Sequence, residues 1–81
     1  MKLLVALKDR AVDAYAPIMT VNTRGEAIRS LRDAMRDTNA PISRHPTDYE
    51  LYALGNYNDA TGEIVPFETP ELLARAEDHK E

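Results

Sequence analysis

One amphipathic segment, residues 23–39, constrains the fold of this chain more than any other feature. Its apolar residues recur at three- and four-residue intervals, which is the spacing of one face of an α-helix. Thr23 can act as the N-cap, and Glu26, three residues later, completes a capping box. Pro41, just after the segment, is typical of a helix end. The pattern therefore predicts one main helix over residues 24–37.

Apolar and alternating segments on both sides of this helix predict strands. Residues 2–8 are apolar between two lysines and predict a central strand, whereas residues 16–22 predict a short edge strand. Residues 49–57 alternate in character and precede the turn-forming residues 58–63, so together they predict a hairpin. The return strand of this hairpin, residues 64–67, contains a proline and is therefore expected at a sheet edge.

The remaining segments complete a small α+β fold. Residues 40–48 contain two prolines and no periodicity, which predicts a loop. Thr69 as N-cap and Pro70 at the first helical position predict a short C-terminal helix. A chain of 81 residues has room for one domain, residues 1–81. We therefore predict an antiparallel sheet of three to four strands, with the main helix packed on one face and a short helix at the C-terminus.

The composition excludes several classes of function. The chain has no cysteine, which rules out disulfides and thiolate metal sites. It also lacks a Ser/His/Asp set, a Gly-rich phosphate loop and metal-ligand spacing, so we predict no enzymatic activity, no metal and no cofactor. The apolar run at residues 3–7 is too short for a membrane span or a signal peptide, so we expect a cytoplasmic protein with no membrane partner. A domain this small often depends on a partner chain, and we expect a homodimer or a higher oligomer.

Charge on the predicted helix is segregated by face. At about 100° per residue, three arginines fall away from the apolar side. We call these residues the arginine ridge: Arg29, Arg32 and Arg36. An acidic ridge lies beyond them: Glu26, Asp33 and Asp37. Ion pairs at i,i+3 and i,i+4 spacing would explain Arg29 and Arg36 as parts of a solvated, salt-bridged surface. Arg32 has Ile28 and Arg36 as its neighbours four residues away, so such pairs leave it unexplained.

Arginine suits bidentate contact with phosphate, so the ridge is a candidate surface for binding a polyanion. Three further cations would extend the surface if the loops fold towards the helix: Lys8, Arg10 and Arg44. Tyr52 lies on the strand face opposite Tyr49 and could stack on an unpaired base, although aromatic residues on strands are also ordinary core. The net charge of −4 is unusual for a dedicated nucleic-acid binder, yet a local basic patch can act within an acidic chain.

Two ordered motifs, "TRGEAIRSLRDAMRD" and "HPTDYELYALGNYNDATGEI", resemble the small nonstructural proteins of gokushoviruses, which are single-stranded DNA phages of the Microviridae. With "AYAP" at residues 14–17, the resemblance covers nearly the whole chain. The matching positions are Gly25, Glu26, Ala27, Ile28, Arg29, Asp33, Asp37, His45, Pro46, Asp48, Tyr49, Leu51, Gly55, Asp59, Thr61 and Gly62. The chain departs from the pattern at Tyr57 and Asn58, where Phe and an acidic residue are common, and at Ile18 and Met19, where aromatic residues often follow the proline.

This resemblance implies a protein without enzymatic activity, made during infection and absent from the mature virion. It implies DNA binding when replication shifts to single-strand synthesis and packaging. Two hypotheses follow for this chain. In the first, it is an accessory protein that binds the single-stranded viral genome in the host cytoplasm. In the second, it is an interaction module that binds a replication initiator, a host helicase or a procapsid without contacting DNA. The net charge favours the second hypothesis, and the arginine ridge and the resemblance favour the first.

Overall fold

The computed structural model describes residues 1–79 as an antiparallel sheet of five strands with one main helix. The strands are β1 (Lys2–Asp9), β2 (Ala14–Tyr15), β3 (Met19–Val21), β4 (Tyr49–Tyr57) and β5 (Ile64–Arg75). The helices are α1 (Arg24–Met35) and the single turn α2 (Pro41–Arg44), with 3-10 turns at Pro46–Asp48 and Ala76–His79. The predicted α+β class, with an antiparallel sheet and one main helix, is therefore confirmed.

The two longest apolar segments form the centre of the sheet. The strand order is β2–β1–β4–β5, and β3 pairs with β1 on the same outer edge as β2. Two short strands thus share one edge, which is why the sheet has five strands instead of the predicted three to four. In the centre, Leu7 of β1 lies opposite Leu51 of β4, and Val5 lies opposite Ala53. This register turns these four side chains towards α1, because side chains alternate between the two faces of a sheet, whereas Leu4 and Ala6 of β1 face the other side.

Helix α1 begins where the capping signal predicts. The Glu26 amide donates to the Thr23 hydroxyl over 3.1 Å. The Glu26 carboxylate accepts from the Asn22 amide, one residue before the N-cap, over 3.0 Å. The helix ends at Met35, two residues earlier than predicted. There the Ser43 hydroxyl donates to the Met35 carbonyl over 2.8 Å and satisfies one of the acceptors that a helix end leaves open.

The predicted loop over residues 40–48 contains ordered turns. Pro41 starts α2, and Pro46 starts a 3-10 turn that leads directly into β4. Proline suits the first position of a helical turn, because its missing N–H would have no partner there. The prolines that predict a loop therefore begin two short helical turns instead. Together these turns pack the chain against the C-terminal end of α1.

The core between sheet and helix is built largely from small residues. Val5 and Ala53 are fully buried, Ala76 closes the core from the last 3-10 turn, and Leu31 and Ala27 enter it from α1. Alanine at facing positions lets α1 lie close to the sheet. The apolar area that the core removes from water is correspondingly modest, and with it the stabilisation.

The predicted C-terminal helix from Thr69 onwards is wrong. Strand β5 extends to Arg75, although its register with β4 shifts between Ala53 and Gly55 and again between Leu51 and Tyr52, and only the 3-10 turn at Ala76–His79 follows. Tertiary pairing overrides the local helix signal, because β4 is long enough to hydrogen-bond both halves of β5. Ala74 lies opposite Leu51 and fills the core, which a helix starting at Thr69 would not achieve. Residues 80–81 of the predicted helix lie outside the described residues.

The β4–β5 hairpin forms as predicted, with β5 at the sheet edge where its prolines are tolerated. Gly62 adopts a φ of 82°, which favours glycine in the connecting turn. Gly55 is required for a different reason: a Cβ there would lie 2.6 Å from the Val65 carbonyl oxygen. Across residues 1–79, no helix is long and apolar enough to cross a membrane.

Candidate nucleic-acid interface

The arginine ridge lies on the solvent side of α1. Ala27 and Leu31 point into the core, so the helical period places Arg29, Arg32 and Arg36 outward, and all three are exposed. Arg29 and Arg32 belong to the twelve-residue helix and Arg36 is its C-cap residue, so the helical backbone fixes the spacing of the three Cα atoms. The ridge predicted from the sequence is therefore a real, continuous surface of the folded domain.

Arg29 does not form the intrahelical ion pairs that its spacing allows. Within residues 1–79 it has no carboxylate within 4.0 Å, because its two candidate partners are engaged elsewhere. Glu26 turns back to cap the helix at Asn22. Asp33 instead lies 3.6 Å from Arg36, as the i,i+3 spacing predicts. The positive charge of Arg29 is consequently left to solvent or to a ligand.

Arg32, which intrahelical pairing leaves unexplained, contacts a residue far away in the sequence. Its Nε donates to the Nδ1 of His79 over 3.2 Å. This contact involves no carboxylate, so it steadies the guanidinium without cancelling its charge. No local pattern connects residues 47 positions apart, and the sequence therefore contains no signal for this contact.

Arg10 and Arg44 lie at the end of the sheet that the helix C-terminus also occupies. The Arg10 amide donates to the Asp48 carbonyl over 2.7 Å, which fixes the β1–β2 turn beside the 3-10 turn after α2. Arg44 ends α2, which is attached to the end of α1 through Ser43. Both arginines are exposed, and neither has a carboxylate within 4.0 Å in the described part of the chain. They can extend the ridge beyond Arg36.

Lys8 and Tyr52 lie on the opposite face of the sheet. Lys8 alternates with the core residue Leu7, so its side chain leaves the sheet away from α1. Its Nζ is 3.3 Å from the Asp13 carboxylate and 5.7 Å from the Tyr15 ring centroid. The hydrogen bond and charge of Asp13 raise the pKa of Lys8. The sheet itself therefore separates Lys8 and Tyr52 from the arginine ridge.

Two tyrosines form a pair on this helix-free face. The rings of Tyr15 and Tyr52 meet edge to face, with centroids 5.9 Å apart and planes at 73°. The Tyr52 hydroxyl donates to Glu50 over 3.1 Å, and Arg75 approaches the other Glu50 oxygen at 3.4 Å. Burial and the bond to Glu50 raise the pKa of Tyr52. Tyr15 was not among the predicted site residues, since its strand has only two residues and no alternation to read.

The net negative charge of the chain lies in the β4–β5 hairpin, because the acidic residues elsewhere are matched in number by lysine and arginine. Residues 51–74, which form most of the β4–β5 hairpin, contain four carboxylates and no lysine, arginine or histidine. The overall charge of −4 therefore reflects this hairpin more than the helix surface. In the described residues, no group of three or more His, Asp or Glu side chains is placed to hold a metal ion.

These features define a small α+β domain with an exposed arginine surface on its one long helix. The model of the family described as Phage ORF5 protein matches residues 2–79. The chain therefore belongs to the Phage ORF5 protein family and is a phage protein. No curated protein matches the chain, and no solved structure matches it.

Proposed function

We propose that this phage protein binds single-stranded DNA through the arginine ridge, as a non-enzymatic accessory of viral genome synthesis and packaging. One observation supports the proposal most strongly. Of the three ridge arginines, only Arg36 has a carboxylate within ion-pair distance among residues 1–79, at 3.6 Å. An ordinary salt-bridged helix surface would pair Arg29 as well, whereas Arg32 has no acidic residue three or four positions away to pair with. Charges left unpaired on a rigid element suit binding to an anionic polymer.

The dimensions of the ridge suit a short stretch of one strand. Arg29 and Arg36 are seven residues apart, which corresponds to about 10 Å along a helix. Three phosphate contacts give weak binding that is easily released by salt. Such binding suits a protein that hands a strand to a capsid and is itself left out of the virion. The resemblance to gokushovirus nonstructural proteins agrees with this role and with a location in the host cytoplasm.

Self-association would strengthen this weak binding. A homodimer or higher oligomer places several ridges on one strand and raises the overall affinity without any new contact. Exposed apolar residues are available for contact between copies, including Ile64 and Val65 at the start of the edge strand β5. Light scattering of the protein with and without DNA measures the oligomeric state directly.

A second candidate function follows from the charge distribution. The acidic hairpin, residues 51–74, would repel DNA but suits contact with a basic protein surface. In this case the protein would be an interaction module that binds a replication initiator, a host helicase or a procapsid protein. The two functions differ in whether the purified protein binds DNA at low salt.

The test measures binding to a labelled oligothymidylate by fluorescence anisotropy across a salt series. The wild type is compared with a variant in which Arg29, Arg32 and Arg36 are all changed to Ala. We expect weaker binding and a plot of log affinity against log salt that is shallower by about 2, since each phosphate contact on a single strand contributes about 0.7. Absence of wild-type binding at low salt would contradict the proposal and favour the interaction module.

A charge-matched control separates the ridge from net charge. Ala60→Glu, Thr61→Glu and Thr69→Glu together lower the net charge by the same three units at exposed positions of the hairpin. This variant should keep most of the affinity and the full salt slope, because the three changed residues belong to the hairpin and not to the arginine ridge. Equal losses in the two variants would show that only the overall charge matters, and the ridge would not be the site.

A further inference from the structure

An apolar cavity lies beside α1, on the side opposite the arginine ridge. It has a volume of about 200 Å³ and lies between the helix and the β1–β3 part of the sheet. Its lining consists of Leu7, Met19, Ala27, Ser30, Leu31, Ala34 and Leu51. Six of these seven side chains are apolar, and Ser30 and Met19 at its rim are exposed. The cavity is therefore an opening in the surface that continues into the core.

The cavity exists because the helix covers only part of the sheet. Small side chains on this side of α1, Ala27, Ser30 and Ala34, do not fill the space above Leu7 and Leu51. On the other side, a bidentate ion pair between Arg24 and Glu71 holds the helix over β5. The helix is therefore held towards one edge of the sheet, and the opposite edge is left uncovered.

Acidic residues of α1 flank the cavity next to Ser30, outside its lining. At about 100° per residue, Ser30 falls between Ala27 and the acidic ridge of Glu26, Asp33 and Asp37. The arginine ridge is about 100° or more away from Ser30 around the helix axis. Across from the helix the cavity is lined by Leu7, Met19 and Leu51, none of which is charged. An occupant with positive charge around an apolar centre would thus meet complementary charge on the helix and no like charge across from it.

The size of the cavity suits one large side chain. An apolar cavity of about 150 Å³ is enough to admit benzene, so this one can admit a phenylalanine ring. A second copy of the chain is a poorer occupant, because each copy is acidic overall and its approach to the flanking acidic residues is opposed. We propose that this cavity is a docking site for a basic protein segment that inserts one aromatic or large aliphatic side chain. It lies on the opposite flank of α1 from the arginine ridge, so it does not depend on DNA binding.

The test uses the blocked peptide Lys-Arg-Phe-Arg-Lys as the probe, with the full chain in solution. Binding is followed by NMR shifts of methyl groups that line the cavity, such as those of Ala27, Leu31 and Ala34. Matched peptides replace the Phe by Ala, or the cations by Glu. We expect the Phe peptide to bind about tenfold or more tightly than the Ala peptide, since burying the ring supplies that difference. The acidic peptide should not bind.

Variants of the protein then locate the site. Ser30→Met fills the cavity from an exposed helical position that favours methionine over serine, so the fold should be kept while peptide affinity falls by about tenfold. The double variant Asp33→Asn with Asp37→Asn should bind the basic peptide more weakly than the wild type, and its peptide affinity should depend less on salt concentration. The ridge variant with three alanines should bind the peptide as the wild type does. Unchanged affinity in Ser30→Met, or shifts confined to other residues, would overturn the proposal.

Light scattering tests whether a second copy of the chain, instead of a basic partner, occupies the cavity. If Ser30→Met converts an oligomer of the wild type to a monomer, a second copy occupies the cavity, and the proposal of a basic partner is wrong. If DNA binding fails while the peptide binds at the cavity, the proposed DNA function is wrong and this inference stands.

Discussion

The guanidinium of Arg24 holds both carboxylate oxygens of Glu71, with Nε 2.7 Å from Oε2 and Nη2 3.0 Å from Oε1. This pair joins the first turn of α1 to β5, across 47 residues of sequence. The hydrogen bond from Arg24 lowers the pKa of Glu71 below the ordinary value of 4.5. Because the segment around Glu71 has a helical signal in the sequence, the pair also helps to keep it in the sheet.

The first prediction concerns the pH dependence that this pair confers. A carboxylate with a lowered pKa in the folded state adds stability that is complete above its unfolded pKa and is lost as the pH falls through the folded value. Glu71→Gln should lower the melting temperature at neutral pH and flatten its fall on acidification below about pH 5. Thermal unfolding followed by circular dichroism measures both effects. Glu68→Gln, an exposed carboxylate on the same strand, should change the melting temperature much less.

The second prediction concerns two glycines, Gly55 and Gly25, whose replacement by alanine should change the stability of the protein in opposite directions. Gly55→Ala should destabilise the protein by about 1–3 kcal/mol, because the new Cβ would lie 2.6 Å from the Val65 oxygen and 2.8 Å from the Pro66 Cα. Both obstacles are backbone atoms of the paired strand, so they cannot rotate away. Gly25→Ala is the matched control, since its nearest atom is 3.9 Å away in the first turn of α1. It should stabilise the helix by about 0.5 kcal/mol. Urea unfolding that gave the two variants the same sign would contradict this account.

The third prediction concerns the charge of the ridge. Asp33 lies 3.6 Å from Arg36 and competes with any phosphate for that guanidinium. Asp33→Asn should therefore raise the affinity for single-stranded DNA and steepen its salt dependence by up to about 0.7. Asp59→Asn removes an equal charge from the hairpin turn and should have a smaller effect. If the two variants behaved alike in anisotropy titrations, long-range charge alone would explain the change.

The fourth prediction separates the two faces of the sheet. Lys8 already has Asp13 at 3.3 Å and points away from α1. Lys8→Met should reduce DNA affinity less than Arg29→Met, which removes a cation that has no carboxylate within 4.0 Å in residues 1–79. Tyr52→Phe should leave DNA affinity unchanged while reducing stability by about 1 kcal/mol, because the buried Glu50 carboxylate loses a donor. If Lys8→Met or Tyr52→Phe reduced DNA affinity more than Arg29→Met does, the DNA interface would lie on the helix-free face of the sheet instead.

Several features of this fold follow from local sequence alone. Thr23 starts the helix because its hydroxyl reaches an amide three residues away, and that contact needs nothing from the rest of the chain. The hairpin turn forms around Gly62, and the return strand lies at the edge because of its prolines. The ridge of Arg29, Arg32 and Arg36 is likewise a consequence of helical period. Each of these depends on residues within a few positions of one another.

Other features were decided only when distant segments met. Residues 69–75 carry a helix signal but form a strand, because hydrogen bonds to β4 and burial of Ala74 outweigh a local cap. The contact of Arg32 with His79 depends on where the last turn places the imidazole. The cavity beside Ala34 depends on how the helix sits over the sheet. Local sequence therefore determined which surface carries the arginines and which of Arg29 and Arg36 meets a carboxylate, whereas tertiary packing decided the contact of Arg32, because only the folded chain brings His79 to it.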